Sequence, residues 1–240
     1  MDQTTSIDTI RAAATALADA ARTAPDAAVP SCPGWTISTV LEHLGRVQMW
    51  ASGVLRDYPT ERPPFPPSPG DLTGDGLVAW ASAQSDALVA AVAASDGDRE
   101  VWAFGAMRPA RFWWRRQAIE AAMHAWDAAD AAGRVFPIPA PVGVEGVDEF
   151  LDWLLARLFA AKPPTWGSGR TIHLHRTDGE GEWLLTIADP PQVALGHAKG
   201  DLAVRGTATD LLLWVANRRA DVTLFGDDGL AGAWAANVRF

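Results

Sequence analysis

The stretch Arg111–Gly133, RFWWRRQAIEAAMHAWDAADAAG, decides how the chain folds. It begins just after a proline and ends at a glycine, so it predicts one helix over about residues 111–132. Glu120 and His124 lie four residues apart within this stretch. A helix places such side chains on one face, with Cβ atoms about 5–6 Å apart, a separation that a divalent metal can bridge.

Further helices are predicted on both sides of this one, because apolar residues recur there at three- and four-residue steps. They cover residues 5–22, 37–54, 77–94 and 147–159. Thr36 is expected to cap the helix that begins at residue 37. Loops rich in proline and glycine are expected over residues 57–76 and 137–146. The pattern therefore favours a helical bundle.

The pattern changes near residue 165 to short runs typical of β-strands. These runs are residues 171–175, 183–188, 202–204 and 222–225, and a further helix follows Thr207. The change predicts a helical N-terminal domain over residues 1–164 and a smaller α+β domain over residues 165–240.

The composition excludes several classes of function. There are 29 acidic and 20 basic side chains, for a formal net charge of -9, so the surface should repel nucleic acids. The single cysteine, Cys32, excludes an internal disulfide and a four-cysteine zinc site, and it suits a reducing compartment. We find no signal-peptide pattern and no membrane-length apolar run. A cytoplasmic protein that binds neither nucleic acid nor membrane is expected.

His43 is the third candidate metal ligand beside Glu120 and His124. It lies next to the apolar stripe of its helix, which points it toward the bundle interior, where helical bundles build metal sites. Two histidines and a glutamate match a catalytic zinc set with an open coordination position, although other divalent ions accept the same ligands. On spacing alone, a solvated Glu120–His124 contact and an ordinary core histidine at position 43 stay possible.

Three segments of the chain together form a recognisable pattern. The first is VPSCPGWT at residues 29–36, followed by LEHLG at residues 41–45, and the second is RRQAIEAAMHAWD at residues 115–127. Both resemble the mycothiol-dependent maleylpyruvate isomerase family. The third, GTATDLLLW at residues 206–214, looks like the C-terminal domain of that family, which is related to sterol-carrier folds. The resemblance implies a DinB-like, metal-binding four-helix bundle of actinobacterial type, followed by the smaller α+β domain.

The resemblance also implies a site and a reaction. In the family, the residues that align with His43, Glu120 and His124 hold zinc, and mycothiol is the thiol cosubstrate. A bound metal lowers the pKa of a thiol ligand, so the hypothesis is that a metal-bound thiolate attacks an electrophilic small-molecule substrate. Isomerase and S-transferase outcomes both stay open. A metal-dependent hydrolase that activates water and a non-catalytic metal- or ligand-binding module are the alternatives. A monomer or weak homo-oligomer is expected.

Several residues near these motifs are candidates for supporting roles. Asp127 could orient His124, or it could be an exposed acid. Arg115 and Arg116 could anchor a substrate or cofactor carboxylate near the metal, and Arg205 and Arg218 could hold an anionic group from the C-terminal domain. Arg115 and Arg116 could instead pair with surface acids, and Arg205 and Arg218 could instead be solvated surface residues. These roles give Arg115, Arg205 and Asp127 as candidate catalytic residues and Arg116 and Arg218 as candidate cofactor-binding residues.

Four other positions have less clear roles. Ile119 stands where many family members have a histidine. Neighbouring residues of a helix point about 100° apart, so Ile119 should not disturb the adjacent candidate ligand Glu120. Cys32 is expected to pack as a small hydrophobe. His173 and His175 share one face of a predicted strand, but no third ligand is apparent, so a solvated strand face is expected.

Overall fold

The computed structural model describes residues 1–239, and the chain forms two compact units, Met1–Ile138 and Pro139–Phe240. Four long helices build the first unit: α1 (Gln3–Thr23), α2 (Ile37–Asp57), α3 (Gly74–Ala94) and α4 (Arg111–Ala131). The N-terminal helices predicted from apolar spacing all appear at these positions. α1 packs against α3 and α4, and α2 packs against the same two helices. The apolar stripes form the core, in which Leu17, Leu44 and Leu88 are almost completely buried.

Helix α2 begins where the sequence predicts. The Thr36 side chain accepts a hydrogen bond from the backbone N–H of Thr39, and the Thr39 side chain accepts one from the backbone N–H of Thr36. This reciprocal cap satisfies two backbone donors that the first helical turn leaves without a partner. It also fixes the start of α2 and therefore the face on which His43 lies.

A short hairpin that was not predicted connects α3 and α4. Its strands are β1 (Glu100–Ala103) and β2 (Ala106–Pro109), and they pair antiparallel. Phe104 and Gly105 form the turn with φ angles of 51° and 94°. A two-residue turn with both φ angles positive matches the right-handed twist of the flanking strands.

Helix α3 has the length and apolar composition of a membrane-spanning helix. In the structure, 44% of its most apolar 18-residue window is buried within the first unit. Core helices of soluble proteins have the same length and apolar composition, so α3 is weak evidence for a membrane span.

A five-stranded sheet organises the second unit. Its strands are β3 (Thr171–Arg176), β4 (Glu182–Thr186), β5 (Gln192–Leu195), β6 (Leu202–Gly206) and β7 (Thr223–Gly226), in the order β5-β4-β3-β6-β7. Only β3 and β6 are parallel among the paired strands of this sheet, in the described part of the chain. Ile172 and Leu174 face the buried side of the sheet, whereas His173 and His175 lie on the opposite face.

Helices complete the second unit. They are α5 (Ala140–Glu149), a π-helical turn (Phe150–Leu154), α6 (Leu155–Ala161), α7 (Ala208–Val215) and α8 (Asp228–Asn237). α7 follows its predicted cap, Thr207, whose side chain accepts a hydrogen bond from the N–H of Asp210. The sequence analysis predicted neither β5 nor α8.

Residues 139–164 fold with the sheet, whereas the sequence analysis placed them in the N-terminal domain and drew the boundary at 164/165. They belong to the second unit because α5 packs closely on α7. A Cβ atom at Gly143 would lie 2.8 Å from the carbonyl carbon of Ala208, so the two helices need a glycine there. The loop predicted over residues 137–146 is wrong from residue 140 onward, because Pro141 lies in the first helical turn, where a missing N–H costs nothing.

Candidate metal centre

His43 from α2 meets Glu120 and His124 from α4 inside the first unit. Glu120 Oε1 lies 3.4 Å from Nε2 of His43 and 3.4 Å from Nε2 of His124. One donor atom from each of the three residues lies within 4.8 Å of the others. Around a tetrahedral zinc with ligands at about 2.0–2.1 Å, neighbouring donor atoms are about 3.3–3.4 Å apart. The arrangement therefore suits three ligands on one side of a divalent ion and leaves a fourth position open.

The environment of His43 favours the neutral imidazole that a metal needs. Burial lowers the pKa of His43 to about 4, and electrostatic interactions with His124, Arg46 and Arg116 act in the same direction. At pH 7 the ring is therefore uncharged, and a proton competes only weakly with a metal for its nitrogen.

Asp127 lies behind His124 and is fully buried, so it is not an exposed helix acid. Its Oδ2 is 3.1 Å from Nδ1 of His124, and its Oδ1 accepts a 2.6 Å hydrogen bond from the hydroxyl of Ser31. A carboxylate that accepts the Nδ1 proton keeps Nε2 of the same ring unprotonated and fixes the ring orientation. That nitrogen faces Glu120, so the contact with Asp127 leaves His124 with an unprotonated donor atom on the Glu120 side.

The loop before α2 closes tightly against this carboxylate. The N–H of Val29 donates to the carbonyl of Trp35, and the N–H of Trp35 donates to the carbonyl of Cys32, both at 2.9 Å. Gly34 makes the turn possible with a φ of 85°, in the left-handed region that favours glycine. Cys32 does not act only as the small hydrophobe that the sequence suggested, because its Sγ lies 3.8 Å from Oδ2 of Asp127 and donates to it.

Trp35 provides an aromatic wall beside both histidines. Its ring centroid lies 5.0 Å from that of His43 and 6.3 Å from that of His124, and it is nearly parallel to the His124 ring, at 22°. Ile119 is only 3% exposed and packs into the core. One side of the centre is therefore apolar.

The candidate arginines fall in different places. Arg116 forms an ion pair with Glu120, and its side chain is 12% exposed, so it orients a candidate metal ligand. Arg115 is half-buried one residue earlier on α4. In the second unit, Arg205 is exposed on β6 and lines a polar depression with Asp210 and Asp221. Arg218 of the same unit donates a 2.8 Å hydrogen bond to the carbonyl oxygen of Ala216. Roles of Arg115, Arg116, Arg205 and Arg218 toward a substrate or cofactor stay predictions.

Two family models match the chain and together cover most of it. The model described as the mycothiol maleylpyruvate isomerase N-terminal domain matches residues 7–129, and the corresponding C-terminal domain matches residues 142–234. The chain belongs to the mycothiol-dependent maleylpyruvate isomerase family. The resemblance seen in its sequence motifs is confirmed, and membership of this isomerase family identifies the chain as an enzyme.

Two solved structures support the fold of this family member. Two crystal structures of a mycothiol-dependent maleylpyruvate isomerase, one of them a histidine-to-alanine mutant, match with a TM-score of 0.67 at 17% sequence identity, over 93% of this chain and 93% of theirs. A ubiquinone synthesis protein, UbiJ-SCP2, matches with a TM-score of 0.32 at 18% identity, over 40% of this chain and 92% of that chain. No protein of curated function matches the sequence. The predicted helical N-terminal part and α+β C-terminal part are confirmed.

Two further features, both of polar side chains, were not expected from the sequence. The sequence analysis did not identify Ser31 as a partner of Asp127, because 96 residues separate the two in the chain. It also expected a solvated strand face at His173 and His175, which is wrong for His173, since this residue is only 4% exposed. The residues that meet these two histidines come from neighbouring elements of the sheet, which a single sequence does not align.

Proposed function

We propose that this family member is a mycothiol-dependent isomerase, acting at the His43–Glu120–His124 centre on a small electrophilic substrate with a conjugated cis double bond. The observation that carries the proposal is the convergence of these three donors, with Asp127 behind one of them. The two crystal structures that share the fold are of a mycothiol-dependent maleylpyruvate isomerase, which supports the thiol and the substrate class.

The donor set fits a divalent ion, with zinc the first choice because two imidazole nitrogens and a carboxylate are typical zinc ligands. An ion held by His43, Glu120 and His124 would bind the sulfur of mycothiol and lower its pKa, so that the thiol is ionised at neutral pH.

The residues of the chain prepare this centre in distinct ways. Asp127 holds the Nδ1 proton of His124 and leaves Nε2 as a donor. Arg116 pairs with the Glu120 carboxylate and fixes its direction, while the other carboxylate oxygen faces both histidines. Trp35 covers the two imidazoles on one side with an apolar ring. Together these contacts fix the three donors before a substrate arrives.

Arg115, on the same helix as Glu120, is the candidate anchor for a substrate carboxylate. A charged hydrogen bond to a partly desolvated carboxylate contributes roughly 1.5–3 kcal/mol. Because this contact binds the substrate rather than the metal, Arg115→Ala should raise KM while the metal content stays unchanged.

The test combines metal analysis with turnover assays on the full chain. Maleylpyruvate is the substrate, and each variant is assayed with and without mycothiol. His43→Ala, Glu120→Gln and His124→Ala should each lose the bundle metal and lower mycothiol-dependent turnover by at least about 100-fold, since two donors hold a metal poorly. Glu42→Gln is the matched control, because Glu42 lies beside His43 on α2 and pairs only loosely with Arg46, at 3.9 Å.

The other reactions give different results in the same assays. Turnover that does not need a thiol indicates a hydrolase, and a product that retains the thiol indicates an S-transferase. Metal binding without any turnover indicates a binding module. Unchanged metal content and turnover in all three ligand variants would contradict the proposed centre.

A further inference from the structure

A second histidine cluster lies in the other unit of the chain. The chain has five histidines, and the three that the bundle centre does not use gather around one carboxylate, Glu182. Glu182 Oε2 lies 3.1 Å from Nε2 of His173 and 2.8 Å from Nδ1 of His197, and its Oε1 lies 3.0 Å from Nδ1 of His175. One donor atom from each of the four residues lies within 4.8 Å of the others. We call this group the sheet cluster.

Strand pairing brings three of its members together. His173 and His175 are two residues apart on β3, so their side chains project from the same face. Glu182 on β4 is the antiparallel partner of His175, and directly opposed residues of neighbouring strands share a face. The register of β3 against β4 therefore places the carboxylate between the two imidazoles.

His197 arrives from the segment that follows the edge strand β5. The N–H of Gly196 donates a 3.0 Å hydrogen bond to the carbonyl of Glu182, which fixes this segment beside β4. Gly196 has a φ of 104°, a value that favours glycine and turns the chain back over the sheet. Gly200 lies so close to β3 that a Cβ atom would be 2.9 Å from the backbone nitrogen of His173. This close approach covers His173, although it lies on the outer face.

The four residues offer the chemistry of a metal site rather than of an ordinary polar surface. Three imidazoles and a carboxylate are ligands that zinc and neighbouring divalent ions accept. Burial lowers the pKa of His173, which favours the neutral form of its ring. Burial raises the pKa of Glu182, but hydrogen bonds from His197 and His173 outweigh it and hold the pKa below its usual value. A neutral imidazole and an ionised carboxylate are the forms that bind metal.

We propose that His173, His175, Glu182 and His197 form a second metal site, which binds zinc or a similar divalent transition ion independently of the bundle centre. The observed distances from the histidine nitrogens to Glu182, 2.8–3.1 Å, are slightly shorter than the roughly 3.3–3.4 Å between neighbouring ligands of a tetrahedral zinc. An outward shift of a few tenths of an ångström accommodates the ion, and the exposed His197 side chain is free to make it.

Four protein ligands complete a tetrahedral coordination, so this site is structural rather than catalytic. Its ligands come from β3, β4 and the segment after β5. All four residues of β5 are exposed, and an exposed edge strand is a weak point of a sheet. A metal here ties that edge and its following segment to the two inner strands.

The register also places Arg205 of β6 opposite His175, so one cation lies beside the cluster on the same face. This charge opposes metal binding, whereas the charge of Glu182 favours it. The charges of Glu182 and Arg205 largely offset each other. The affinity for a divalent ion is therefore expected to come mainly from the imidazole nitrogens.

The experiment is a zinc titration of the metal-free full chain by calorimetry, with the bound metal counted by elemental analysis. Two zinc ions per chain are expected. His197→Ala and Glu182→Gln should each weaken zinc binding at the sheet cluster by at least tenfold, so that one tightly bound zinc per chain is left. His43→Ala should remove only the bundle zinc. Combining His43→Ala with His197→Ala should leave none.

Lys199→Ala is the matched control, because Lys199 is exposed two residues after His197 and offers no ligand atom to the cluster. It should keep both zinc ions. His197 is itself exposed, so its replacement does not disturb the core even if variants of the buried His173 fail to fold. One zinc per chain that is insensitive to both His197→Ala and Glu182→Gln would overturn the proposal. Because stoichiometry is the readout, the result does not depend on whether the enzyme turns over.

Discussion

The bundle centre and the sheet cluster are both built from histidine and glutamate side chains, but the two sites arrange them differently. In the bundle, three donors converge from two helices, and a fully buried aspartate stands behind one of them. In the sheet, a single glutamate lies at the middle of three histidines and is itself a donor. Three ligands leave room for a substrate atom, whereas four surround the ion. The difference suggests that ligand count, more than ligand type, separates a reactive centre from a structural one.

The two sites also differ in how the chain assembles them. Glu120 and His124 share a face because they are four residues apart on one helix, so local structure already brings them together. The sheet cluster needs β3, β4 and β5 in one register, because a slip of one residue would turn Glu182 to the other face. Local helix geometry therefore suffices to bring the bundle pair together, whereas the sheet cluster requires the correct pairing of several strands.

The largest effect should come from removing the support behind His124. Asp127→Asn leaves the three bundle ligands in place but replaces the acceptor of the Nδ1 proton, so we expect zinc affinity at the bundle centre to fall about 10–100-fold. Competition titration with a chelator measures this change. Asp86→Asn, an exposed substitution on α3, is the control, and the sheet cluster should keep its affinity. Equal zinc affinity of the bundle centre in Asp127→Asn and wild type would show that Asp127 does not support His124 as a ligand.

A smaller effect should appear in the pH dependence of stability without metal. The pKa of His43 is about 4 when folded, against an ordinary value of 6.5, so between these values the unfolded chain binds a proton that the folded chain does not. The free energy of unfolding is therefore unaffected by His43 above about pH 6.5, and it falls as the pH drops toward 4. For a partly exposed ring we expect a loss of about 1–2 kcal/mol from this residue.

Denaturant unfolding of the metal-free chain at several pH values measures this loss. His43→Gln should flatten the curve between pH 4.5 and 6.5. The pKa of His173 is lowered as well, so His173→Gln should flatten it for the sheet unit. Parallel curves for wild type and His43→Gln would show that burial does not suppress the charge of His43.

The smallest effect concerns the cation beside the sheet cluster. Arg205→Gln removes a positive charge opposite His175, and exposed charges interact by roughly 0.2–1 kcal/mol, so zinc affinity of the sheet cluster should rise by about 1.4–5-fold. The gain should shrink at high salt because exposed charges are screened. Arg219→Gln, exposed after α7, is the control. A weaker sheet cluster in Arg205→Gln would mean that the arginine supports the site instead of opposing it.

The helices and the proximity of the candidate ligands His43, Glu120 and His124 could be predicted because their signals are local. Apolar spacing defined all four bundle helices, and the motifs around His43 and Glu120 carried the family resemblance. The start of α5 was missed because Pro141 resembles a loop signal, although a helix accepts proline in its first turn. The boundary between the units was misplaced for a different reason: the pattern changes from helical to strand-like near residue 165, whereas the helical residues 139–164 fold with the sheet.

The sheet cluster could not be predicted because its members are defined by pairing. His173 and His175 were visible as a shared face, but Glu182 becomes their neighbour only through the β3–β4 register. The four residues of β5 are all exposed and show no apolar alternation, so the sequence did not predict this strand. His197, which follows β5, therefore could not be placed beside the other members. Buried partners such as Ser31 and Asp127, 96 residues apart, are hidden from a single sequence in the same way.

The position of Trp35 gives the bundle centre an optical reporter of its own. Its indole lies within 5.0 Å of the His43 ring and stacks over His124, so the intensity of its fluorescence depends on whether those imidazoles carry a proton or a metal. The other eleven of the twelve tryptophans add a background that a Trp35→Phe variant records directly. Subtracting the two emission spectra isolates the light from one residue, and with it the occupancy of the centre in real time and without a label.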